Sequence, residues 1–439
     1  MQKISISKMG PIKDLTISLD KSIDIIIGPQ ASGKSTLVKT IYFCMKVRDY
    51  FVDFTANTEN FINGHKNELF LNFNKYIRRK FMGYFGTTKH MDEFNIKYDY
   101  DANKQIMIYL ENGYAKVKFS DELDKIIRNS LNKFYDIYID YEKNNDDDIL
   151  ANISKRLQFI NGLKTSIVLL AEDVFSNKEE IVYIPAGRSL LSVLSDQLDV
   201  VNTNGLDLPM KDFIDKIRIV KKSFGSRLNS IVSDYVKTIK GQIKNNDVQL
   251  AQELISKILK GEYINDTDSE KLYIDKIHWV KLIYASSGQQ EALWILLLLF
   301  MSILTQKRTF FIIEEPEAHL YPVAQYNMVE LIALTVNSVG SRIFITTHSP
   351  YILSSANLLV YSGLIEGKRK LSSNAPIIKK QMRIGPDTLN AFKITEQFPW
   401  DMYSIIDQES GMVDSSQIDT ISTVINQDFD RLLDLELKA

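Results

Sequence analysis

Residues 28–36 read Gly-Pro-Gln-Ala-Ser-Gly-Lys-Ser-Thr, a glycine-framed run ending in a lysine and two hydroxyls. The pattern GxxxxGK[ST] suits phosphate. Gly28 and Gly33 let the backbone through Pro29, Gln30, Ala31 and Ser32 wrap so that successive N–H groups aim at phosphate oxygens. Lys34 would reach the β- and γ-phosphates of a nucleoside triphosphate and Ser35 would ligate Mg²⁺. Thr36 leads into a helix whose N-terminus adds partial positive charge.

Downstream, the apolar run Phe310-Phe311-Ile312-Ile313 ends in two adjacent carboxylates, Glu314 and Glu315, with Pro316 behind them. An acid pair at a strand tip divides the labour of phosphoryl transfer. Glu314 would hold Mg²⁺, directly or through water, and Glu315 would polarise the attacking water. Asp-Glu is the common form of this pair, so the longer Glu314 implies a differently arranged metal contact. His348 ends the stretch Ile343-Phe-Ile-Thr-Thr-His and, at that strand tip, suits a sensor of the γ-phosphate. The fourth cluster, Ser286, Ser287, Gly288 and Gln289, stands just before the apolar run 292–304. Either serine would cap the following helix, and N–H groups at a helix start bind anions.

These clusters need a scaffold. Strands are expected at 3–7, 13–19 and 22–27, the first two parted by a Gly10-Pro11 turn and the third ending in the doubly buried Ile25-Ile26-Ile27. A helix over 34–49 follows the phosphate loop. Residues 65–82 read as helix, and 94–100, 105–111 and 114–120 as a strand meander with an Asn112-Gly113 hairpin turn. The stretch 121–180 is mostly helical around a polar break at 143–148, and a strand at 180–184 runs into Pro185-Ala186-Gly187-Arg188. Phe213, Ile217, Val220, Phe224, Leu228, Ile231, Tyr235 and Ile239 recur at steps of three and four. They predict one amphipathic helix over 211–240, about 42 Å long. A helix at 247–260, a hairpin of 272–274 with 277–285, a strand at 309–313, a helix at 322–337 and a strand at 342–346 complete the frame. The tail is expected to hold short strands at 358–365 and helices at 416–436.

With 439 residues, 45% of them hydrophobic and 25% charged, the chain can bury a large core divided into two or three lobes. A net charge of −2 excludes the overall basic field of an obligate nucleic-acid binder, while leaving room for a local basic face. The single cysteine, Cys44, reads as core filling, and without a disulfide framework the chain fits a reducing cytoplasm. The start MQKISISKMG has no signal-peptide pattern. As helix, the run 292–304 spans about 20 Å, short of a bilayer's ~30 Å core. A cytoplasmic protein with no membrane partner is expected.

Together the four motifs resemble those of the ABC-type ATPases, which include transporter nucleotide domains, the SMC/Rad50/RecF group and the OLD-like ATPases. Ser287-Gly288-Gln289 stands where that family has its LSGGQ-like signature. The Gly10-Pro11 opening, Gly28–Thr36, Ser286–Gln290 and Glu314-Glu315-Pro316-Glu317-Ala318-His319 look most like the RecF/SMC/OLD-like branch. The resemblance covers residues 1–50 and about 270–365, and hardly touches 50–270. It implies an α/β fold, an ABC-type P-loop head with a mixed sheet plus an antiparallel meander, formed by 1–60 and 270–365. Residues 61–269 would hold the meander and an inserted compact helical arm, and 366–439 a helical and mixed extension. In such ATPases the signature of one subunit closes over the γ-phosphate held by the P-loop of another, so Ser286, Ser287, Gly288 and Gln289 would form half of a composite ATP site. His319, in the D-loop position, would face the opposite subunit or pack within its own chain. Relatives carry a glutamine where this chain has Pro185–Ser189. Arg188, in that place, would contact phosphate, meet the dimer partner or form a structural salt bridge.

A 42 Å helix is far too short for an SMC rod, and Asp428 and Asp430 read as solvated helix charges rather than as a nuclease centre. The chain therefore resembles the ATPase subunits of bacterial two-component anti-phage systems such as PARIS and Septu. That resemblance implies an ATP-binding, ATP-hydrolysing subunit that forms a homo-oligomer through composite sites and senses a phage-encoded trigger. It would hold or activate a separate effector protein, a nuclease or toxin. The alternative is a RecF-like ATPase that clamps DNA, with Lys75–Lys80 and the basic residues of 216–227 as modest candidates for contact.

Overall fold

The computed structural model describes residues 2–62, 65–143, 149–193, 205–225, 227–238, 245–265, 269–368, 377–395 and 401–414, with 416, 418, 425–431 and 433 of the tail. In chain order the strands are β1 (Lys3–Met9), β2 (Ile12–Ser18), β3 (Ile23–Ile27), β4 (Asn95–Asp99), β5 (Gln105–Glu111), β6 (Tyr114–Phe119) and β7 (Glu180–Ile184). They continue with β8 (Glu262–Asn265), β9 (Glu270–Tyr273), β10 (Trp279–Lys281), β11 (Thr309–Glu314), β12 (Arg342–Thr347), β13 (Leu389–Ile394) and β14 (Met402–Ser404). The helices begin with α1 (Lys34–Ala56), α2 (Glu59–Ile62), α3 (Leu69–Phe85), α4 (Asp121–Lys143), α5 (Ile149–Val174) and α6 (Ser189–Val193). After them come α7 (Leu208–Lys221), α8 (Leu228–Thr238), α9 (Asn245–Leu259), α10 (Ser287–Thr305), α11 (Pro322–Val339) and α12 (Pro350–Lys368).

A six-stranded sheet ordered β14-β13-β3-β12-β11-β7 lies at the centre, parallel from β13 to β7 with β14 antiparallel at its edge. Every residue of β11 is buried, as expected of a strand covered on both faces. The pleat shares that cover between two cores. Phe310 and Ile312 join Ile26, Tyr183 and Phe344 in one, whereas Phe311 and Ile313 join Ile25, Val182 and Ile345 in the other. Residues of α1, α3, α4 and the antiparallel sheet β2-β1-β4-β5-β6 close the first core. Those of α7, α9, α10, α11 and α12 close the second. The expected α/β architecture, a mixed sheet plus an antiparallel meander, is therefore present. Asn112 and Gly113, with φ of 52° and 75°, make the expected hairpin turn.

Several expectations change. The helix after the phosphate loop runs on to Ala56, because Tyr50, Phe51 and Phe54 continue its buried face. The single helix over 211–240 is broken: α7 ends at Lys221, a 3-10 turn takes Lys222–Phe224, and α8 starts at Leu228. Phe224 and Leu228 are buried on either side of the break, so the apolar period passes through it and hides it. Residues 358–365 are not strand but part of α12, whose Ile352, Leu353, Ala356, Leu359 and Val360 are buried at helical spacing. Of 416–436, residues 425–431 are helical with exposed side chains, Asp428 and Asp430 included; much of the remainder, like 144–148, lies outside the described residues. By length and composition α10 is apolar enough to cross a membrane, but it is buried in the second core and packs on α9 and α11. Cys44 is wholly buried, and burial pushes its thiol pKa far up, as befits core filling.

Candidate functional site: a phosphate loop, an acid pair and a histidine at one sheet edge

Three neighbouring parallel strands end at one edge of the central sheet, and each delivers a polar cluster there. Residues 28–36 follow β3, His348 follows β12, and Glu314 and Glu315 stand at the tip of β11. Carboxyl ends of parallel strands are where open α/β sheets gather ligands.

In the loop after β3, Ala31 and Gly33 take left-handed φ of 60° and 94° and reverse the backbone into α1. A Cβ on Gly33 would also lie 2.9 Å from Pro11 Cγ. Lys34 lies against the loop, its ammonium donating to the carbonyls of Gly28 at 2.9 Å and Pro29 at 2.7 Å. Ser32 Oγ donates to the Pro29 carbonyl at 2.8 Å. Burial holds the Lys34 ammonium below its ordinary pKa, against the opposing pull of Glu315, Glu317 and Glu314. Gln30, Ala31 and Ser35 are exposed and Thr36 half-buried.

Glu315 sits in a left-handed turn, φ 45°, and its N–H donates to the Thr346 carbonyl at 2.8 Å. His348 Nε2 lies 3.6 Å from Glu315 Oε1. Burial and the Lys34 charge lower the imidazole pKa, opposed by Glu315 and by a backbone contact from Gly28. The same interactions place the ring against the phosphate loop. Glu317 fixes the strand tip: its Oε1 accepts from the His348 N–H and from Thr347 Oγ1, both at 2.7 Å. Mainly through burial, its carboxyl pKa is raised. That clamp is not visible in the motif itself, although an acid three residues after Glu314 was a signal of it.

Glu314 is 5% exposed. Its Oε2 accepts the Ala186 N–H at 3.1 Å, and its buried Oε1 has no partner at ordinary hydrogen-bond geometry, although the buried Tyr183 hydroxyl interacts with the carboxylate. A buried carboxylate with so few donors is costly to hold as a bare charge and suits a cation. These residues fit Mg²⁺, which Glu314 and the Ser35 hydroxyl would hold and which would neutralise charge on phosphate oxygens.

The signature cluster is built differently. Ser286 caps α10 in a capping box: its Oγ accepts the Gln289 N–H at 3.4 Å, and Gln289 Oε1 accepts the Ser286 N–H at 3.0 Å. Gln289 Nε2 also donates to the Leu259 carbonyl at the end of α9, at 2.6 Å. Ser286 and Ser287 are exposed and Gly288 is buried. A Cβ on Gly288 would stand 2.5 Å from the His319 carbonyl, so only glycine lets α10 start this close to that turn. His319 itself is exposed with φ 57° and is not packed into its own chain. Among the described residues no hydrogen bond joins Ser286–Gln289 to 28–36. The fold thus brings the phosphate loop, acids and histidine together.

Arg188, open to three readings in the sequence, is a structural residue. It is 0% exposed and meets Glu291 at 3.4 Å. Its Nη1 donates to the carbonyls of Pro185 and Glu314, both at 2.6 Å, its Nη2 to that of Glu315 at 2.9 Å, and its Nε to that of Glu291 at 3.1 Å.

Comparison with known proteins follows the same line. Among solved structures, the chain is similar to an SMC head bound to the C-winged helix domain of ScpA, with TM-score 0.42 and 11% identity over 93% of this chain and 98% of that one. It is also similar to the SMC head domain from Thermotoga maritima, with TM-score 0.38 and 11% identity over 92% and 98% of the two chains. The Pyrococcus furiosus Smc head with an extended coiled coil, bound to the C-terminal domain of ScpA, gives TM-score 0.38 and 10% identity over 92% and 96%. None of the curated proteins matches the sequence. The model of one family, described as AAA ATPase domain, matches residues 1–353 and so takes in the loop, the signature, both acids and His348. By that match the chain belongs to the AAA ATPase domain family.

Proposed function

We propose that this chain binds and hydrolyses ATP with Mg²⁺, and that its copies associate by sandwiching ATP between the phosphate loop of one and Ser286–Gln289 of another. In this reading Gly28–Thr36 cradle the phosphates, Ser35 and Glu314 hold Mg²⁺, Glu315 activates water and His348 senses the γ-phosphate. Residues 1–60 and 270–365 form the head, 61–269 its meander and helical arm, and 366–439 an extension that adds β13 beside β3. The observation that carries the reading is the division within one chain. Lys34, Glu315 and His348 share a site, while a capped helix start presents Ser286 and Ser287 to solvent and, among the described residues, makes no hydrogen bond to 28–36. Tyr284 and Tyr321, 75% and 78% exposed, lie close to that helix start, and apolar surface of this kind favours a protein contact.

In the same reading the ATPase governs a separate effector, a nuclease or toxin, in answer to a phage product. The support for that step is the likeness to anti-phage ATPase subunits. The DNA clamp draws less support: Lys216 pairs with Glu180, Arg218 with Asp215 and Lys221 with Glu270, while Arg78, Arg79 and Lys80 lie over tyrosine rings.

Glu315→Gln tests the core of the proposal. It is expected to bind ATP, lose about a hundredfold or more in turnover, and shift to dimer or larger assemblies with ATP in light scattering. Undiminished turnover removes Glu315 as the base, and wild-type specific activity independent of protein concentration removes the sandwich. Identifying what co-purifies from the native locus tests the effector: a nuclease or toxin is expected.

A further inference from the structure

Arg188 and Glu291 lie at the meeting point of the two half-sites. Glu291 belongs to the start of α10, the helix that presents Ser286 and Ser287. Its carboxylate accepts the backbone N–H groups of Arg188 and Ser189, each at 3.1 Å. From there the Arg188 guanidinium reaches the carbonyls of both Glu314 and Glu315. The tie is reinforced nearby, where Ser192 Oγ donates to the Gln290 carbonyl at 3.0 Å and Trp294 Nε1 donates to Ser192 Oγ at 3.1 Å. Both members of the pair are buried, Arg188 at 0% and Glu291 at 2% exposure, so neither faces a nucleotide or a partner directly. A planar guanidinium serving four carbonyls at once has no counterpart in lysine, which offers a single point of charge.

The geometry assigns Arg188, oriented by Glu291, as a positioning residue that couples the signature helix to the Glu315 peptide of the same chain. The inference rests on the composite-site reading. In a sandwich the α10 start meets ATP held by the partner, while Glu315 serves ATP held by its own chain. A displacement of α10 on meeting the partner's nucleotide is thus passed to the carbonyl of the residue that activates water. Arg188 makes occupancy of one site a condition for hydrolysis in the other.

The test compares wild type, Arg188→Lys, Glu291→Gln and the double variant in full-length protein. Nucleotide affinity is read with a fluorescent ATP analogue, association in a Glu315→Gln background, and kcat by phosphate release. Each single variant is expected to keep affinity within about threefold and to keep ATP-driven association, while kcat falls by about tenfold to a hundredfold. The double variant is expected to lose no more than the worse single, because the two act as one unit. Wild-type kcat in a folded Arg188→Lys, losses that multiply in the double variant, or a parallel loss of binding and turnover each overturns the coupling. Should the single variants not fold, Arg188→Met with Glu291→Gln leaves no unpaired buried charge and keeps an acceptor oxygen for one of the two N–H groups. It is expected to bind ATP with the same loss of kcat, and normal turnover in it overturns the inference. A wild type that shows no ATP-driven association defeats the composite-site reading along with the coupling, whereas normal turnover in the variants defeats the coupling alone.

Discussion

At the scale of single residues, the proposed site depends on close packing as much as on polar groups. Gly288 shows this most simply, since a side chain there would meet the His319 carbonyl at 2.5 Å. The neighbour is backbone, so relief requires α10 or the following turn to move. Gly288→Ala is expected to cost about 1–3 kcal/mol in chemical denaturation and to weaken ATP-driven association. Gly162→Ala is the control: it lies inside α5 with nothing within 4 Å of an added Cβ. It should gain roughly 0.5–1 kcal/mol through the unfolded chain. Equal stability of the two variants would show that the close approach is not needed. The Arg188–Glu291 pair has larger consequences, because removing one partner strands a buried charge at a cost of about 3–5 kcal/mol.

At the scale of elements, β3 carries a buried acid in the middle of an apolar strand. Asp24 is 1% exposed and accepts a hydrogen bond from Asn390 Nδ2 of β13 at 2.8 Å. Burial raises its pKa from 3.8 to about 7, with Asn390 and Arg342 working against the rise. The folded protein therefore keeps a proton that the unfolded chain releases. The stabilisation is complete below the unfolded pKa and declines as pH rises through the folded one. Between about pH 4 and pH 7, stability should drop by up to about 1.4 kcal/mol per pH unit from this group. Asp24→Asn, neutral at every pH, should remove that slope. Urea midpoints at several pH values, compared between parent and variant, provide the check, and identical pH profiles would show that Asp24 does not titrate in this window.

For the whole molecule, the proposed division of the site between chains makes an arithmetic prediction. Lys34→Ala ruins the phosphate loop and Ser287→Arg ruins the signature, so each variant alone should be inactive. In a mixed dimer both lesions fall on one composite site and the other site is intact. Random pairing restores roughly a quarter of wild-type sites. ATP-driven association of an equimolar mixture in light scattering measures this, because it needs one intact site and no hydrolysis at it. A mixture that associates no more than its components would mean that each chain completes its own site.

Much of this was legible in the sequence because its chemistry is local. The phosphate loop, the acid pair, the strand-tip histidine and the Ser286 cap each occupy a few contiguous residues. Their backbone geometry is set by glycine, by alternation and by a helix start. The meander was legible for the same reason, through period-two alternation and the Asn112-Gly113 turn. Other features are long-range. The partners of Arg188 lie 103 and 126 positions away and Asn390 lies 366 from Asp24, distances over which no spacing rule operates. The break near 222–228 was hidden because burial on one face persists through a turn, and β13 has no periodic signature strong enough to separate it from the surrounding tail. The sequence by itself determined which groups could meet phosphate. Only the tertiary structure decided that Arg188 ties the start of α10 to the acid strand, because sheet order and helix packing are properties of contacts between distant segments.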